Sequence, residues 1–300
     1  MERELGLDRA YISALARSAS HKYKSYRIKK KDGGERIICH PSKELKALQR
    51  WLARRIIIPF LPTHEAASAY RQGSSIAKNA RSHVTSRYLL RVDFVEFFPS
   101  ISAGDISLHL QEYAPRISTD WARPDTELFV QLVCRGSRIT IGAVTSPSLS
   151  NCVCFHLDES LFQLCQEREV TYTRYADDLF FSAKRPNILG QLPNAIREIL
   201  RSLPYPRALK VNRGKTYHSS MRNRRSVTGV VLSTNGKLSM GRAMKRRLRS
   251  MVYRFDDLDA NQRKWLRGYL AHAISIEPDF LNRLYVKYDP QLVDRARGIR

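Results

Sequence analysis

Apolar residues recur along this chain with two different spacings, which predict where helices and strands lie. After Ser42, apolar positions return every three or four residues as far as Ile56, and Ser42 itself is a suitable N-cap. The same spacing predicts helices over 146–167 and 194–203, and a short amphipathic helix over residues 1–20. These are helices with one apolar face, as expected for helices that pack on a core.

Extended segments lie between these helices and are bounded by turn residues. The segment 26–41 has the pattern of a hairpin with a glycine-rich turn, and 170–183 has that of a strand–turn–strand. A buried strand is predicted after Arg87, and a short strand is predicted over 208–212. The strands are therefore spread along the chain, with helices between them.

The central order of predicted elements is strand, helix, strand–turn–strand, helix, strand. This order is typical of an α+β fold whose ferredoxin-like sheet carries its helices on one face. Further on, Asn235 and Gly236 predict a tight turn between two strands, and the pattern from Gly241 to the end is helical and very basic. The chain shows neither an internal repeat nor a low-complexity linker.

Composition narrows the class of partner. The 300 residues are 43% hydrophobic, which predicts a folded protein, and 52 Lys and Arg against 28 Asp and Glu give a formal charge of +24. An excess of this size predicts a polyanionic partner, with nucleic acid as the default. A basic surface without any ligand is the alternative.

The sequence also predicts where in the cell the protein is located. No segment approaches the roughly 18–20 apolar residues of a membrane span, and the first 20 residues have no signal-peptide apolar core. The five cysteines show neither a CxxC pair nor zinc spacing, so we interpret them as reduced core residues. The sequence therefore predicts a cytoplasmic protein with no membrane partner.

Carboxylates stand at two unexpected places in apolar strands. Asp177 and Asp178 are adjacent in "VTYTRYADDLFFSA", and Asp93 lies in the strand after Arg87. Burying such charges is costly unless something positive joins them. A ferredoxin-like sheet can bring the end of its first strand beside the turn of its central hairpin, where three carboxylates would suit one or two Mg²⁺ ions. The alternative for the Asp-Asp pair alone is a solvated hairpin turn.

The residues around these aspartates resemble a known family. Tyr175-Ala176-Asp177-Asp178 resembles the YxDD signature of reverse transcriptases, and Asp93 followed by aromatic residues resembles their first aspartate motif. Further motifs follow in the family's order. They are "IKKKDGGER", similar to the fingertip hairpin that holds the triphosphate, "GAVTSP", similar to the dNTP and template-contact motif, and "LKVNRGKT", which carries Lys215.

Two more motifs narrow the resemblance to retron reverse transcriptases. "NARSH" (79–83) fits the NAxxH pattern, and "VTG" (227–229) fits the second hallmark of retron enzymes. One residue departs from the family, since Ile141 stands where a glutamine usually precedes the glycine of "GAVTSP". Isoleucine offers neither a donor nor an acceptor. Either the backbone replaces that contact, or nucleotide selection is looser here.

The resemblance implies a role for each matching residue around the reaction. Asp93, Asp177 and Asp178 would be catalytic and would hold two Mg²⁺ ions. The residues implied in dNTP binding are Lys30, Arg36, Phe98, Ile141, Gly142 and Lys215. Lys30 and Arg36 would clamp the triphosphate, with a solvated basic hairpin as the alternative. Phe98 would exclude a ribose 2′-OH or, alternatively, pack in the core, as we expect of Phe97.

Lys215 has two open interpretations. It can protonate the pyrophosphate leaving group as a general acid, or it can be a phosphate-contacting or surface lysine.

A second set of residues is implied in nucleic-acid binding. It comprises Asn79, His83, Tyr175, Thr228, Arg246, Arg247 and Arg249. Asn79 and His83 can hydrogen-bond RNA or simply lock a loop, and Thr228 can form a close strand approach near the primer. The helix predicted over 241–255 has an apolar stripe, so its arginines would face RNA or remain solvated.

The whole resemblance implies a right-hand polymerase fold with a ferredoxin-like palm, fingers and a helical basic thumb. Residues 1–25 would form an N-terminal helical segment, 26–87 the fingers, 88–232 the palm with a finger insertion around 114–145, and 233–300 the thumb.

The implied function is that of an RNA-directed DNA polymerase of a retron. Using dNTPs, it would copy part of its cognate non-coding RNA into single-stranded DNA, starting from an RNA 2′-OH to give branched RNA–DNA. A separate effector protein and a role in antiphage defence are implied in the same way. The alternatives are another bacterial reverse transcriptase that starts from an ordinary 3′-OH, or a non-catalytic RNA-binding scaffold.

Overall fold

The computed structural model describes residues 2–29 and 33–299. The strands are β1 (Tyr23–Lys29), β2 (Glu35–Pro41), β3 (Tyr88–Asp93), β4 (Thr171–Tyr175), β5 (Asp178–Ala183), β6 (Tyr217–Ser220), β7 (Arg225–Val227), β8 (Val230–Leu232) and β9 (Leu238–Ser239). The helices are α1 (Glu2–Leu5), α2 (Arg9–Ser18), α3 (Lys43–Leu52), α4 (Ile58–Phe60), α5 (Ile76–Ser82), α6 (Ala103–Tyr113), α7 (Arg123–Val133), α8 (Ser146–Val153), α9 (Phe155–Glu167), α10 (Leu192–Ser202), α11 (Arg242–Tyr253), α12 (Ala260–Ile276), α13 (Asp279–Lys287) and α14 (Pro290–Arg297).

A four-stranded sheet forms the centre of the molecule, with its strands in the order β4-β5-β3-β6. Every neighbouring pair is antiparallel, and the register places Asp93 opposite Asp178 and Tyr175 opposite Asp178. This is the strand order of a ferredoxin-like fold, as the sequence predicts. The consequence is that the end of β3 lies beside the turn between β4 and β5.

The fourth strand of that sheet is not the one predicted. Residues 208–212 make a single bridge, between Val211 and Phe94, and the ladder with β3 is made by β6 instead. The prediction was wrong because the backbone of this segment is bonded to the end of β3, with Asn212 N–H donating to the Asp93 carbonyl oxygen at 2.7 Å. The segment therefore passes across the end of the sheet rather than along its edge.

Three other predicted elements are present with different bounds. The helix expected over 146–167 is divided at Cys154 into α8 and α9, and the N-terminal helix is divided into α1 and α2 at Gly6, whose φ is positive. The hairpin begins at Tyr23 rather than at residue 26. Ser42 caps α3 as predicted, since its side chain accepts a hydrogen bond from Leu45 N–H.

The apolar residues form three clusters. The first lies between the central sheet and the helices around it, the second joins α5 to the β7–β8 hairpin, and the third lies among α11 to α14. All five cysteines are buried and unpaired, as predicted. In the described part of the chain, no helix combines the length and the apolar character needed to cross a bilayer.

The small sheet β7-β8-β9 follows the central one in the chain. Its first turn consists of Thr228 and Gly229, which both have positive φ, at 49° and 85°. Its second turn contains Asn235 and Gly236, where the sequence predicts one. After this sheet the chain is helical to Arg297, as expected. The four domain ranges given above stay predictions.

Candidate active site

Asp93 lies at the point where three segments of backbone meet. Phe94 N–H donates to the carbonyl oxygen of Asp177 at 3.1 Å, and Asn212 N–H donates to that of Asp93. The side chain of Asp93 is buried, with 5% of the residue exposed, whereas Asp177 is half-buried. The fold therefore fixes the Asp93 carboxylate next to the Tyr175–Asp178 turn.

Burial and neighbouring negative charge raise the pKa values of two of the aspartates, Asp93 and Asp178. Burial raises the pKa of Asp93, and the negative charge of Asp177 raises it further. Burial is also the main reason why the pKa of Asp178 is raised to about 6, with Arg91 acting in the opposite direction. A concentration of negative charge with restricted access to water favours the binding of a cation.

Asp178 already has a cationic partner. Arg91, two residues before Asp93 in β3, donates from Nε and Nη2 to the two carboxylate oxygens of Asp178, at 2.9 and 3.1 Å. Within residues 2–29 and 33–299, no three His, Cys, Asp or Glu side chains are arranged to hold a metal ion together. Of the three carboxylates that the sequence predicts at this site, Asp178 is therefore bound by Arg91.

The remaining carboxylates suit a divalent metal ion. Asp93 and Asp177 supply hard oxygen donors of the kind that Mg²⁺ prefers, and no arginine is bonded to either of them in the described structure. Asp178 as a ligand stays a prediction, and its observed contact is with Arg91.

A buried ion pair supports the turn from inside the protein. Arg174, in β4, donates to both carboxylate oxygens of Asp158 in α9, at 2.8 and 2.6 Å, and neither side chain is exposed. Arg174 also donates to the carbonyl oxygen of Ala176 at 3.2 Å and to Asn151 Oδ1 at 3.1 Å. Sequence reasoning missed this pair because arginine is abundant throughout the chain.

Phe98 and Tyr70 border the same site. Phe97 is buried, as expected of a core residue, whereas Phe98 is half-buried and packs against the core, and its role as a gate stays a prediction. The ring of Tyr70 lies 6.4 Å from that of Phe98, and the Asp177 charge adds to the burial that raises the Tyr70 pKa. Tyr70 has φ of 59°, which is unusual for an aromatic residue. No sequence pattern marks this residue.

Lys215 lies next to Asp93. Its Nζ is 4.0 Å from Asp93 Oδ1, and Asn212 Nδ2 donates to the same oxygen at 3.4 Å. The positive charge of Lys215 lowers the pKa of Asp93 and so partly offsets the effect of burial. Lys215 is therefore close enough to take part in the chemistry, as one of the two sequence interpretations requires.

The "GAVTSP" segment is joined to the β1–β2 hairpin through its backbone. Ile141 offers its carbonyl oxygen to Cys39 N–H at 2.8 Å, so its main chain, not its side chain, makes the polar contact. A Cβ added to Gly142, where φ is 104°, would lie 2.6 Å from the Cys39 carbonyl oxygen. Only glycine allows this approach. Arg36 is exposed on β2, and Lys30 lies outside the described residues.

Comparison with known proteins agrees with this geometry. Residues 28–262 match the sequence family "Reverse transcriptase (RNA-dependent DNA polymerase)". The chain is 36% identical to the retron Ec83 reverse transcriptase of Escherichia coli, over 95% of this chain and 94% of that protein. This chain belongs to the retron reverse transcriptases.

Other matches support the family and the fold. The retron reverse transcriptase is 32% identical to the retron Mx65 reverse transcriptase of Myxococcus xanthus, over 96% of this chain and 69% of that protein. Its fold is similar to that of a telomerase from Candida albicans, with a TM-score of 0.52 at 14% identity, over 97% of this chain and 64% of the telomerase chain. The right-hand polymerase fold and RNA-directed DNA polymerase activity therefore apply to this chain, and such enzymes generally depend on divalent metal ions.

The two hallmark motifs of this retron reverse transcriptase pack against each other. Ala80 of "NARSH" and Val227 of "VTG" belong to one apolar cluster, and Thr228 Oγ1 donates to the carbonyl oxygen of Ile76 in α5 at 3.4 Å. Thr228 lies at a hairpin tip with positive φ, and its close approach near the primer stays a prediction.

His83 locks this region onto the central sheet. Its ring nitrogens lie 2.8 Å from Ser182 Oγ and 2.7 Å from Thr173 Oγ1, and the residue is fully buried. Burial lowers its pKa to about 3, so the ring is neutral. These contacts favour the loop-locking interpretation over direct RNA contact, for which the ring has no nitrogen left. Asn79 is buried, and its side-chain amide has no hydrogen-bond partner in the described structure.

The basic helix α11 is less uniform than predicted. Arg246 and Arg247 are exposed, and Arg247 lies over the ring of Trp265 at 4.2 Å. Arg249 is half-buried, with its guanidinium 5.6 Å from the Phe280 ring. Arg249 therefore packs on the helical bundle rather than facing outward, because position 249 follows the buried Leu248 on the inner side of the helix.

Proposed function

We propose that this chain copies part of a cognate structured RNA into single-stranded DNA at a centre built on Asp93 and Asp177. The observation that carries the proposal is the placement of Asp93 against the Tyr175–Asp178 turn, with mutual repulsion among the carboxylates. In a chain with a formal charge of +24, this small negative centre lies within a strongly basic protein. A basic surface attracts the RNA, and the carboxylates supply a site for cations.

Asp93 and Asp177 would hold two Mg²⁺ ions, and dNTPs would be the substrates. When bound, such ions activate the attacking oxygen and stabilise the leaving oxygen of a phosphoryl transfer. Asp178, bound by Arg91, fixes the turn in which Asp177 lies. Lys215, beside Asp93, donates a proton from Nζ to the leaving pyrophosphate.

The substrate would be held by residues on both sides of this centre. Arg36 and Lys30 bind the triphosphate. Gly142 allows the "GAVTSP" segment to approach the β1–β2 hairpin at Cys39. Phe98 blocks the space that a ribose 2′-OH would fill, and Tyr70 borders Phe98. The backbone carbonyl of Ile141 holds the hairpin in place without the usual glutamine.

The proposed division of the chain follows these roles. The fingers are 26–87, the palm is 88–232 with an insertion around 114–145, and the thumb is 233–300. Exposed Arg246 of the thumb binds the RNA backbone.

Synthesis would begin from the 2′-OH of a nucleotide within the folded RNA, giving a branched RNA–DNA molecule. The proposal rests on the "NARSH" and "VTG" motifs and on the retron relatives. Physically, it requires the RNA to be docked so that one 2′-OH lies in line with the α-phosphate of the dNTP. We also propose a separate effector protein and a role in phage defence, which only the resemblance of the motifs to retron enzymes implies.

The test supplies the RNA encoded beside the gene together with dNTPs and Mg²⁺. The product is then treated with ribonuclease and with a debranching enzyme. The proposal predicts DNA that retains one ribonucleotide after ribonuclease and loses it only on debranching. DNA joined to an ordinary RNA 3′-OH would show a reverse transcriptase with general priming, and no DNA at all would favour a non-catalytic RNA-binding scaffold.

A further inference from the structure

A basic concave surface lies on the far side of the segment that crosses the end of β3. It has a volume of about 770 Å³ and is lined by the C-terminal half of α10 and by the loop from 203 to 213. Its lining includes five cationic side chains and neither an acidic nor an aromatic residue. The cationic residues are Arg197, Arg201, Arg207, Lys210 and Arg213. We call this surface the α10 cavity.

The positive charges of the α10 cavity have no neutralising carboxylate in the described part of the chain. None of these five residues forms an ion pair with a carboxylate of the described residues, whereas Arg55, Arg123 and Arg185 are paired with Glu4, Glu127 and Glu169. Arg197 and Arg201 are also four residues apart on α10, where like charges repel each other. An anion that bound here would relieve this repulsion.

The loop side of the cavity is held firmly. Tyr205 O–H donates to Glu112 at 2.5 Å, and Arg207 N–H donates to the buried carboxylate of Asp105 at 3.3 Å. Arg207 Nε also donates to the Pro204 carbonyl oxygen at 2.9 Å. The α6 helix therefore positions the loop, and the cationic groups are presented from a fixed backbone.

The cavity is adjacent to the catalytic centre but separate from it. Lys210 gives its carbonyl oxygen to Val95 N–H at 2.9 Å, two residues after Asp93 in the chain. The segment 210–213 thus has the cavity on one side and the end of β3 on the other. A nucleic acid bound in the cavity would be fixed relative to Asp93 without occupying the centre.

The side chains that line the α10 cavity favour double-stranded over single-stranded nucleic acid. Arginines bind phosphate oxygens in a forked geometry, and the cavity is much larger than one phosphate group requires. Single-stranded nucleic acid is usually held by stacking its bases on aromatic rings, and the α10 cavity has none. Double-stranded RNA is recognised through its phosphates and 2′-hydroxyls instead.

We propose that the α10 cavity binds the phosphate backbone of a double-helical segment of the cognate RNA. This inference rests on the proposed function, since it assigns the docking of the same RNA. The bound helix lies beside the catalytic centre and limits how the rest of the RNA can approach Asp93.

The first test compares two variants with the same change in net charge. Arg197→Gln/Arg201→Gln/Arg207→Gln removes three charges from the cavity, and Arg55→Gln/Arg123→Gln/Arg185→Gln removes three charges that are already paired. Binding of the cognate RNA is measured at salt concentrations from about 50 to 400 mM, over which phosphate contacts weaken. The cavity variant should lower the log–log slope by about two to three, at roughly 0.7–0.9 per lost contact, and the control should not. Equal slopes in the two variants would overturn the proposal.

Competition distinguishes the possible anions. Perfect RNA duplex should displace the cognate RNA from the wild-type protein more effectively than from the cavity variant. Sodium tripolyphosphate and polyglutamate, at equal charge concentration, should show no such difference. If tripolyphosphate is the competitor that displaces the RNA more effectively from the wild type, the cavity binds free phosphates. If polyglutamate is that competitor, the cavity binds an acidic protein. Both results contradict the proposal.

A third measurement locates the RNA without depending on the stability of a triple variant. All five native cysteines are buried, so Ser202→Cys places an accessible thiol at the cavity for attachment of iron–EDTA. Hydroxyl radicals should cut the cognate RNA within a base-paired segment, whereas the same probe on Ser118→Cys, exposed outside the cavity, should not cut there. Cleavage only in unpaired RNA, or the same pattern from both sites, would overturn the proposal. DNA synthesis on the cognate RNA with dNTPs and Mg²⁺ is measured in parallel, and its absence in the wild type would count against the proposed function alone.

Discussion

The guanidinium of Arg174 donates a hydrogen bond of 3.2 Å to the carbonyl oxygen of Ala176, inside the turn that presents Asp177. Ala176 has φ of 56°, in the left-handed region that residues with a side chain disfavour. Such a conformation persists only where the surroundings hold it. Arg174 is anchored by Asp158, so the position of Asp177 depends on an ion pair that is wholly buried.

Replacing both residues of this ion pair together should lower activity while the protein remains folded. Replacing a buried pair by apolar residues is often neutral for folding, whereas removing one partner costs about 3–5 kcal/mol. We expect Arg174→Met/Asp158→Leu to remain folded but to lose roughly 10–100-fold in kcat, because the turn is misplaced. The KM for dNTP should change little. Urea unfolding and steady-state extension measure the two effects, and a double variant with wild-type kcat would show that Arg174 only stabilises the fold.

Alanine substitutions at two glycines test the contact between "GAVTSP" and the β1–β2 hairpin. Gly142 and Gly136 both have positive φ, but only at Gly142 would the added Cβ meet backbone, 2.6 Å from the Cys39 carbonyl oxygen. Gly136→Ala should cost about 1–2 kcal/mol of stability and leave dNTP binding intact. Gly142→Ala should in addition raise the KM for dNTP, because the hairpin must move. A KM unchanged in Gly142→Ala, or raised equally in both variants, would contradict this account.

Phe98→Ala should weaken discrimination against ribonucleotides. Removing the half-buried ring opens space beside the sugar, so the ratio of rNTP to dNTP incorporation should rise by at least about ten-fold. Phe97→Leu is the matched control, because Phe97 is buried in the core and should affect stability alone. Single-nucleotide extension measures the ratio. If Phe98→Ala leaves it unchanged, Phe98 serves only to pack the core.

The burial of His83 predicts how stability depends on pH. Its pKa is lowered to about 3 in the folded protein, while an unfolded histidine titrates near 6.5. Between these values the unfolded chain binds the extra proton, so stability is fully present above pH 6.5 and is lost as the pH falls. The loss reaches about 1.4 kcal/mol per pH unit.

His83→Gln should reduce this slope, since glutamine can hydrogen-bond but does not titrate. Buried His109, whose pKa is lowered to about 4, leaves a residual slope in the variant. Urea unfolding at about pH 7, above the roughly 3–6.5 window set by the two pKa values, and at about pH 5, inside that window, provides the measurement. An unchanged slope would mean that His83 is accessible to protons in the folded state.

The sequence predicts those parts of the fold in which local pattern and tertiary packing agree. The helix after Ser42 has both a cap and an apolar face, and the hairpin around Asp177 has apolar strands on both sides of a polar turn. The fourth strand, β6, could not be predicted because Tyr217–Ser220 is short and polar. The segment 208–212 is more apolar and is therefore predicted as a strand. Its backbone instead forms hydrogen bonds with the end of β3.

The same distinction holds for the candidate site. Asp93 and Asp177 are visible in the sequence because a carboxylate within an apolar strand is an anomaly. Arg91 and Arg174 are not, since they are two arginines among 52 basic residues and their partners are distant in the chain. Tyr70 could not be predicted either. A positive φ can be anticipated from the sequence only at glycine or asparagine, and Tyr70 is neither.

The central claim is that Asp93 and Asp177 form the metal-dependent centre for DNA synthesis. The most direct measurement is Mg²⁺-dependent dNTP incorporation on the cognate RNA by Asp177→Asn, which keeps the shape of the side chain and removes its charge. Asp120→Asn, at an exposed residue of the proposed finger insertion, is the control for the change in net charge. We predict that Asp177→Asn binds the RNA as the wild type does but incorporates no dNTP, while Asp120→Asn is fully active. Substantial incorporation by Asp177→Asn in Mg²⁺ would contradict the account.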